Sequence, residues 1–227
     1  MYLRRARIVV WEPHKAVYIR VPKAANTSIR NSLGEGRARR VWLPLLRRRY
    51  PDHLIFSFVR NPWSRLVSAY RHKILEHRIS DRYYLDGVHR GFVKWRYPFR
   101  AGMPFEEFAE FVCGLRDAQA EKHLKSQSYF IVQRGLLVPA FIGRFETIAD
   151  DWAALCRALG TAIELVRYNR THGPPYPTYY TPRLVNLVGD RYREDVTRFG
   201  YQFESVTNVA TTPAVDTAFA RSLPKPR

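Results

Sequence analysis

The apolar positions fall into three short runs, each followed by a helical pattern. In the first, Val17, Ile19 and Val21 alternate with Tyr18 and Arg20, so Ala16 to Val21 predicts a buried strand. Pro22 ends it. Asn26, Thr27 and Ser28 are all N-cap types, and Ile29 and Leu33 then sit a turn apart, which predicts a helix starting there. The second run, Leu54 to Val59, is continuously apolar, as in a parallel strand covered on both faces. Asn61 suits an N-cap and Pro62 the first helical position, and Trp63, Leu66, Val67 and Tyr70 keep helical spacing, with the helix expected to reach about His77. The third run, Leu136 to Phe145, predicts one further strand. Ile148, Trp152, Leu155 and Leu159 follow at helical spacing, and Gly160 stops them.

Elsewhere, Phe105 to Arg116 reads as an amphipathic helix, and a last helix runs from Thr181-Pro182 towards Phe199, with Gly200 past its end. Arg37 to Tyr50 reads as a basic connector. Ile79 to Met103 reads as a long aromatic and basic loop or lid, and Arg167 to Pro182 as loop. There is no internal repeat. The 227 residues are expected to form one domain over 1–205 and a flexible tail over 206–227.

Charge changes the picture more than composition does. A net charge of +18 predicts an anionic partner: nucleic acid, acidic lipid, acidic glycan or a multiply charged cofactor. A solvated basic surface is the plainer alternative. Cys113 and Cys156 are far apart in sequence and suggest neither a disulfide framework nor a zinc site, so a reducing, cytoplasmic setting is expected. No apolar run is long enough to span a bilayer, which leaves peripheral contact with an anionic membrane through arginines.

Two of the strand–loop–helix units carry anion chemistry. In the first, Lys23 precedes two small residues, Ala24 and Ala25, and then Asn26, Thr27 and Ser28 at a helix N-terminus, where backbone N–H groups and the helix dipole favour an anion. The order differs from GxxxxGK[ST], since here the lysine comes first and no glycine precedes it. In the second unit Arg60 follows the strand directly, and Ser64 or Arg65 and Ser68 share one helix face, so Arg60 and Ser68 can converge on one anion. Each unit also has a plainer reading: a surface lysine at an ordinary junction, an arginine paired with a carboxylate, a serine that packs.

Taken together, VPKAANTSI resembles the 5′-phosphosulfate loop of sulfotransferases that use 3′-phosphoadenosine 5′-phosphosulfate (PAPS). FVRNPWSRLVSAY resembles their 3′-phosphate motif, and FIGRFETIADDW a segment that follows in the carbohydrate (family 2) type, which includes heparan sulfate 2-O-sulfotransferases. The similarity extends from about Lys15 to Tyr201. It implies an α/β, P-loop-NTPase-like three-layer fold with a central, mostly parallel sheet flanked by helices. It also implies transfer of a sulfuryl group from PAPS to a hydroxyl of a glycan or glycolipid, with no metal. Carried onto this chain, Lys23, Thr27, Ser28 and the loop amides would hold the 5′ end, Arg60 and Ser68 the 3′-phosphate, and Phe145 would lie near the adenine. Arg170 and Thr171 match a late cofactor contact, and His123 in EKHLKSQ matches a histidine near the acceptor and is the expected general base. His72 and His77 are expected farther from the cofactor end, and His172 and Glu76 stay open. The chain lacks the anchor, stem and paired cysteines of the family's large members, so a soluble, bacterial-type enzyme is expected. The rivals are a P-loop kinase, which needs a magnesium-binding acid and a glycine-rich loop, and a non-catalytic protein binding nucleic acid or acidic polymer, for which no recognition motif is present.

Overall fold

A computed structural model of the chain describes residues 4–34, 36–75, 84–85, 87–166 and 173–204. In chain order the elements are β1 (Arg5–Trp11), β2 (Ala16–Ile19), α1 (Asn26–Ser32), β3 (Arg37–Trp42), α2 (Leu46–Arg49), β4 (Leu54–Val59) and α3 (Pro62–Tyr70). A short hairpin of β5 (Tyr84–Leu85) and β6 (Val88–His89) leads into α4 (Arg90–Lys94). Then come α5 (Phe105–Cys113), α6 (Ser128–Ile131), a second hairpin of β7 (Val132–Gln133) and β8 (Leu136–Leu137), β9 (Phe141–Arg144), α7 (Ile148–Ala158), α8 (Pro182–Arg191) and α9 (Arg193–Phe199).

The main sheet has the order β3-β1-β2-β4-β9. β2 pairs with β4 and β4 with β9 in parallel, while β1 pairs antiparallel with both β2 and β3. Only β1 therefore runs against the other four strands. Its two faces divide the core. Ile8, Val10, Val17, Ile19, Ile55 and Val59 meet Trp63, Leu66, Val67 and Tyr70 of α3 and, beyond it, α5, α8 and α9. Val9, Trp11, Tyr18, Phe56 and Phe58 meet Ile29 of α1, Leu33 just past its end, and Trp152 and Leu155 of α7. The result is a helix–sheet–helix sandwich of the three-layer α/β kind. On β9, Gly143 is required by packing, because a Cβ there would lie 2.3 Å from the Phe58 ring.

Three expectations are corrected, and one further strand appears. The N-terminal Arg5–Trp11 segment is a full strand, and Arg37–Trp42 is the edge strand rather than a connector. Its residues Arg37 to Arg40 are exposed, and charge on an edge blocks further pairing, which is why the segment lacks a strand's apolar signature. The Leu136–Phe145 run splits: Arg134 and Gly135, both with positive φ (51° and 78°), turn the β7–β8 hairpin, and β9 begins only at Phe141. The last helix breaks at Tyr192 (φ −109°, ψ 26°) into α8 and α9. That break sets buried Asp195 under the start of α6, where it accepts from the Gln127 and Ser128 amides at 2.6 and 2.8 Å. The chain continues past α3 as a wider π turn over Arg71–Leu75. Its expected end near His77, the tail 206–227, and part of the expected lid lie outside the described residues.

Candidate active site

Lys23, Arg60 and Phe145 each follow the carboxyl end of a parallel strand: β2, β4 and β9. That is the end at which open α/β sheets bind ligands. A cleft of about 1220 Å³ opens there, lined by Lys23, Ala25, Asn26, Thr27, Ser28, Arg60, Ser68, His123 and Phe145. Ala24 lies fully buried beneath the loop and is absent from the lining. Arg170 and Thr171, and with them His172, lie outside the described residues.

The first loop is held in an uncommon shape. Lys23 (φ 69°) and Ala25 (φ 54°, ψ 15°) are both left-handed, with Ala24 of ordinary φ between them. Alternating signs of φ turn successive N–H groups towards one side, forming a concave anion nest without glycine. A left-handed conformation costs a non-glycine residue about 1–2 kcal/mol. The N-cap is consequently Ala25 and not one of the three polar residues. Asn26 is used otherwise, its Oδ1 accepting from Arg20 Nε at 3.0 Å. Thr27 is exposed at the mouth and Ser28 is buried at 8% exposure.

The second unit follows its sequence signature. Asn61 Oδ1 accepts from the Trp63 and Ser64 amides at 3.1 and 3.3 Å, with Pro62 opening α3. The Arg60 backbone is clamped by one side chain: Gln127 Oε1 accepts from Arg60 N at 2.8 Å, and Gln127 Nε2 donates to Arg60 O at 2.7 Å. The Arg60 guanidinium donates to Ser64 Oγ at 3.0 Å and to Lys23 O at 3.5 Å, and lies 4.0 Å over the Phe145 ring. Burial pulls its pKa down to about 10, with Glu146 opposing, so it stays charged. Glu146 is not its bonded partner. One carboxylate oxygen accepts from Asn61 N at 2.7 Å and the other from Tyr201 Oη at 3.0 Å. Ser68, 5% exposed, lies one turn beyond Ser64 on the cleft wall.

Sequence reasoning placed Arg65 on a polar face, and here it is 2% exposed. It donates to Pro22 O at 2.9 Å and Lys125 O at 2.8 Å, tying the Lys23 loop to the segment that carries His123. Its spacing matches that of a cleft residue as well as that of a clamp, so nothing in the sequence separates the two roles.

His123 Nδ1 lies 2.7 Å from Glu121 Oε2. The carboxylate can only accept, so Nδ1 carries the proton and Nε2 is the basic nitrogen. Burial holds the imidazole well below its ordinary range, against the pull of Glu121. Burial alone would raise the Glu121 carboxyl, but hydrogen bonds from His123 and the charge of Lys122 hold it down. His72 is also in the cleft, contrary to expectation, because the π turn after α3 swings it inward. Burial and the charges of Lys23 and Lys73 push it down to about 2. A wall of Arg5, Arg7, Arg20 and Lys122 extends the lining. Arg5 and Arg7 belong to β1, and pairing β1 with β2 is what brings them beside Arg20; the unrecognised strand hid them. Burial lowers Lys122 and Arg20, and neighbouring arginines lower them further, an electrostatic tension that an anion relieves.

Two strand–turn–helix junctions at adjacent strand ends, facing one basic cleft, belong to an α/β domain of the P-loop-like, three-layer kind. Residues 36–202 match the Sulfotransferase family, and the chain belongs to that family. The match includes Arg60, Ser68, His123 and Phe145 and starts beyond the Lys23 loop. The chain is similar to carbohydrate sulfotransferase 10 of Danio rerio, 24% identical over 244 residues, a span that takes in 86% of this chain and 66% of that protein. No solved structure matches.

Proposed function

We propose that the chain is a PAPS-dependent sulfotransferase that moves a sulfuryl group to a hydroxyl of a carbohydrate or glycolipid by in-line transfer. The observation that carries this reading is the meeting of the two anion turns, with Arg60 Nη1 3.5 Å from Lys23 O at the edge of one cleft. A donor with phosphates at two places fits that set: a nest and a lysine at one end, an arginine and a serine at the other, and an aromatic ring between β9 and α7. When bound, PAPS supplies the activated sulfuryl group. The residues of this chain position it and stabilise charge. Lys23, with Thr27, Ser28 and the nest amides, meets the 5′ end and neutralises charge on the leaving oxygen. Arg60 and Ser68 hold the 3′-phosphate. His123 takes the acceptor proton at Nε2, while Glu121 fixes its tautomer and balances the resulting imidazolium. The basic wall and the carbohydrate sulfotransferase relative support a glycan acceptor that carries negative charge.

The deciding experiment is transfer of labelled sulfur from PAPS to a panel of neutral and acidic glycans in the presence of EDTA. Transfer that persists with EDTA is expected. Transfer of phosphate from ATP, abolished by EDTA, would instead establish the kinase reading, and product binding unaffected by Arg60→Ala, with no transfer from PAPS, would favour a plain polyanion-binding protein.

A further inference from the structure

One exposed face has no part in the cleft chemistry. Val93 and Trp95, at and just past the end of α4, are 38% and 44% exposed, and Leu85 of the adjoining hairpin is 43% exposed. Leu85 and Val93 line a shallow groove with Tyr97 and Arg96, and the Trp95 ring lies 6.1 Å from Tyr97. Between Arg90 and Arg100 the chain has four cations and no acid, and Arg90, Lys94 and Arg96 are exposed around the apolar tips. Apolar side chains with a tryptophan among them, ringed by long basic side chains, match the boundary between lipid headgroups and acyl chains.

This face is bolted to the catalytic pair. Tyr97 Oη accepts from the Glu121 amide at 2.7 Å and donates to Gln119 O at 2.9 Å. His89, which precedes α4, stands 6.0 Å from His123, ring to ring. We propose that the α4 face docks the protein on a bilayer containing anionic lipid, with the His123 end of the cleft beside the headgroups. In this arrangement a lipid-borne acceptor reaches the cleft without leaving the membrane; that consequence, unlike the docking itself, rests on the sulfotransfer reading.

The test is partition of the full-length protein onto phosphatidylcholine vesicles with and without phosphatidylglycerol, with binding of the desulfated product as the control for folding. Binding is expected only with phosphatidylglycerol. It should fall by about tenfold or more in Lys94→Glu/Arg96→Glu, since each cation near such a surface contributes about fivefold in attraction. Brominated lipids should quench a fraction of the tryptophan emission that disappears in Trp95→Phe. Equal vesicle binding by the charge-reversed protein would overturn the proposal, because the remaining basic surface would then suffice. So would concentration-dependent self-association that Trp95→Ser abolishes, since the face would then meet a second copy. Vesicle binding without transfer from PAPS would leave the docking intact and sink the enzymatic reading instead.

Discussion

The turns that carry Lys23 and Arg60 sit side by side at the carboxyl end of one sheet, yet they are built on opposite principles. The turn after β4 follows every local preference: Asn61 caps, Pro62 opens the helix, and Gln127 satisfies both peptide groups of Arg60. The turn after β2 goes against them. Two non-glycine residues are left-handed, the helix has no side-chain cap, and the loop is held from outside by Arg65 and by the Arg20–Asn26 bond. On the proposed reaction, the first arrangement would suit a fixed anchor for a group that does not react. The second would put strained backbone where charge has to be met during transfer.

The contrast can be broken by mutation. Arg65→Met should have the largest effect, because it leaves the Pro22 and Lys125 carbonyls without their shared buried donor. A loss of about 3–5 kcal/mol is expected in urea unfolding. A loss under about 1 kcal/mol would mean that the strained loop holds itself. Next, Lys23→Ala should lower kcat by about 10²–10³-fold while sparing affinity for the desulfated product. Arg60→Ala should weaken that affinity by about 10–100-fold in calorimetry, the worth of a charge-assisted contact. If both substitutions acted equally on binding, the division between anchor and reactive turn would be wrong. At the helix starts, Asn61→Ala should destabilise by about 1 kcal/mol, whereas Ala25→Gly should be neutral or stabilise by a few tenths, since glycine adopts the left-handed region at no steric cost.

The smallest effect is an expected constancy. With the His123 pKa depressed, the imidazole is already neutral near its ordinary value of 6.5, so kcat/KM should hold level as pH falls through that value. A unit-slope decline beginning there would assign the base to a histidine of ordinary pKa. Stability should behave differently. Below 6.5 the unfolded chain protonates His72 and His123 and the folded chain does not, so stability falls on acidification in that range. The depressed Glu121 carboxyl adds stability above its unfolded pKa of 4.5, and this is lost as the pH falls further.

How far the chain could be read before its structure follows the same division. The anchor turn was fully legible, because cap, proline and helical period all agree with the fold. The Lys23 turn was legible in its place at the cleft but misjudged in geometry. Three polar N-cap types pointed to Asn26 or its neighbours, and tertiary contacts placed Ala25 there instead. β3 was hidden because an edge strand exposes four of its residues, and β1 was not singled out because its apolar stretch, Ile8 to Trp11, is only four residues long. Missing β1 also meant missing Arg5 and Arg7 in the cleft, since only the strand pairing brings them there. His123 was expected at the cleft through resemblance and lines it, while its partner Glu121 needed coordinates, because two residues apart in a loop carries no directional rule.

Gln127 ends β4 in an unusual way. One primary amide occupies both the donor and the acceptor of the Arg60 peptide, as an adjacent strand would, while Gln127 itself is fully buried and held by Asp195. The sheet therefore stops at the cleft without a raw edge, and the guanidinium reaches the cleft instead of its own backbone. In the time domain, the Arg60 amide should exchange with deuterium at the pace of the core, although it lies at the edge of the cleft. Gln127→Leu would turn it into a fast-exchanging loop amide before any change in the cleft's charge.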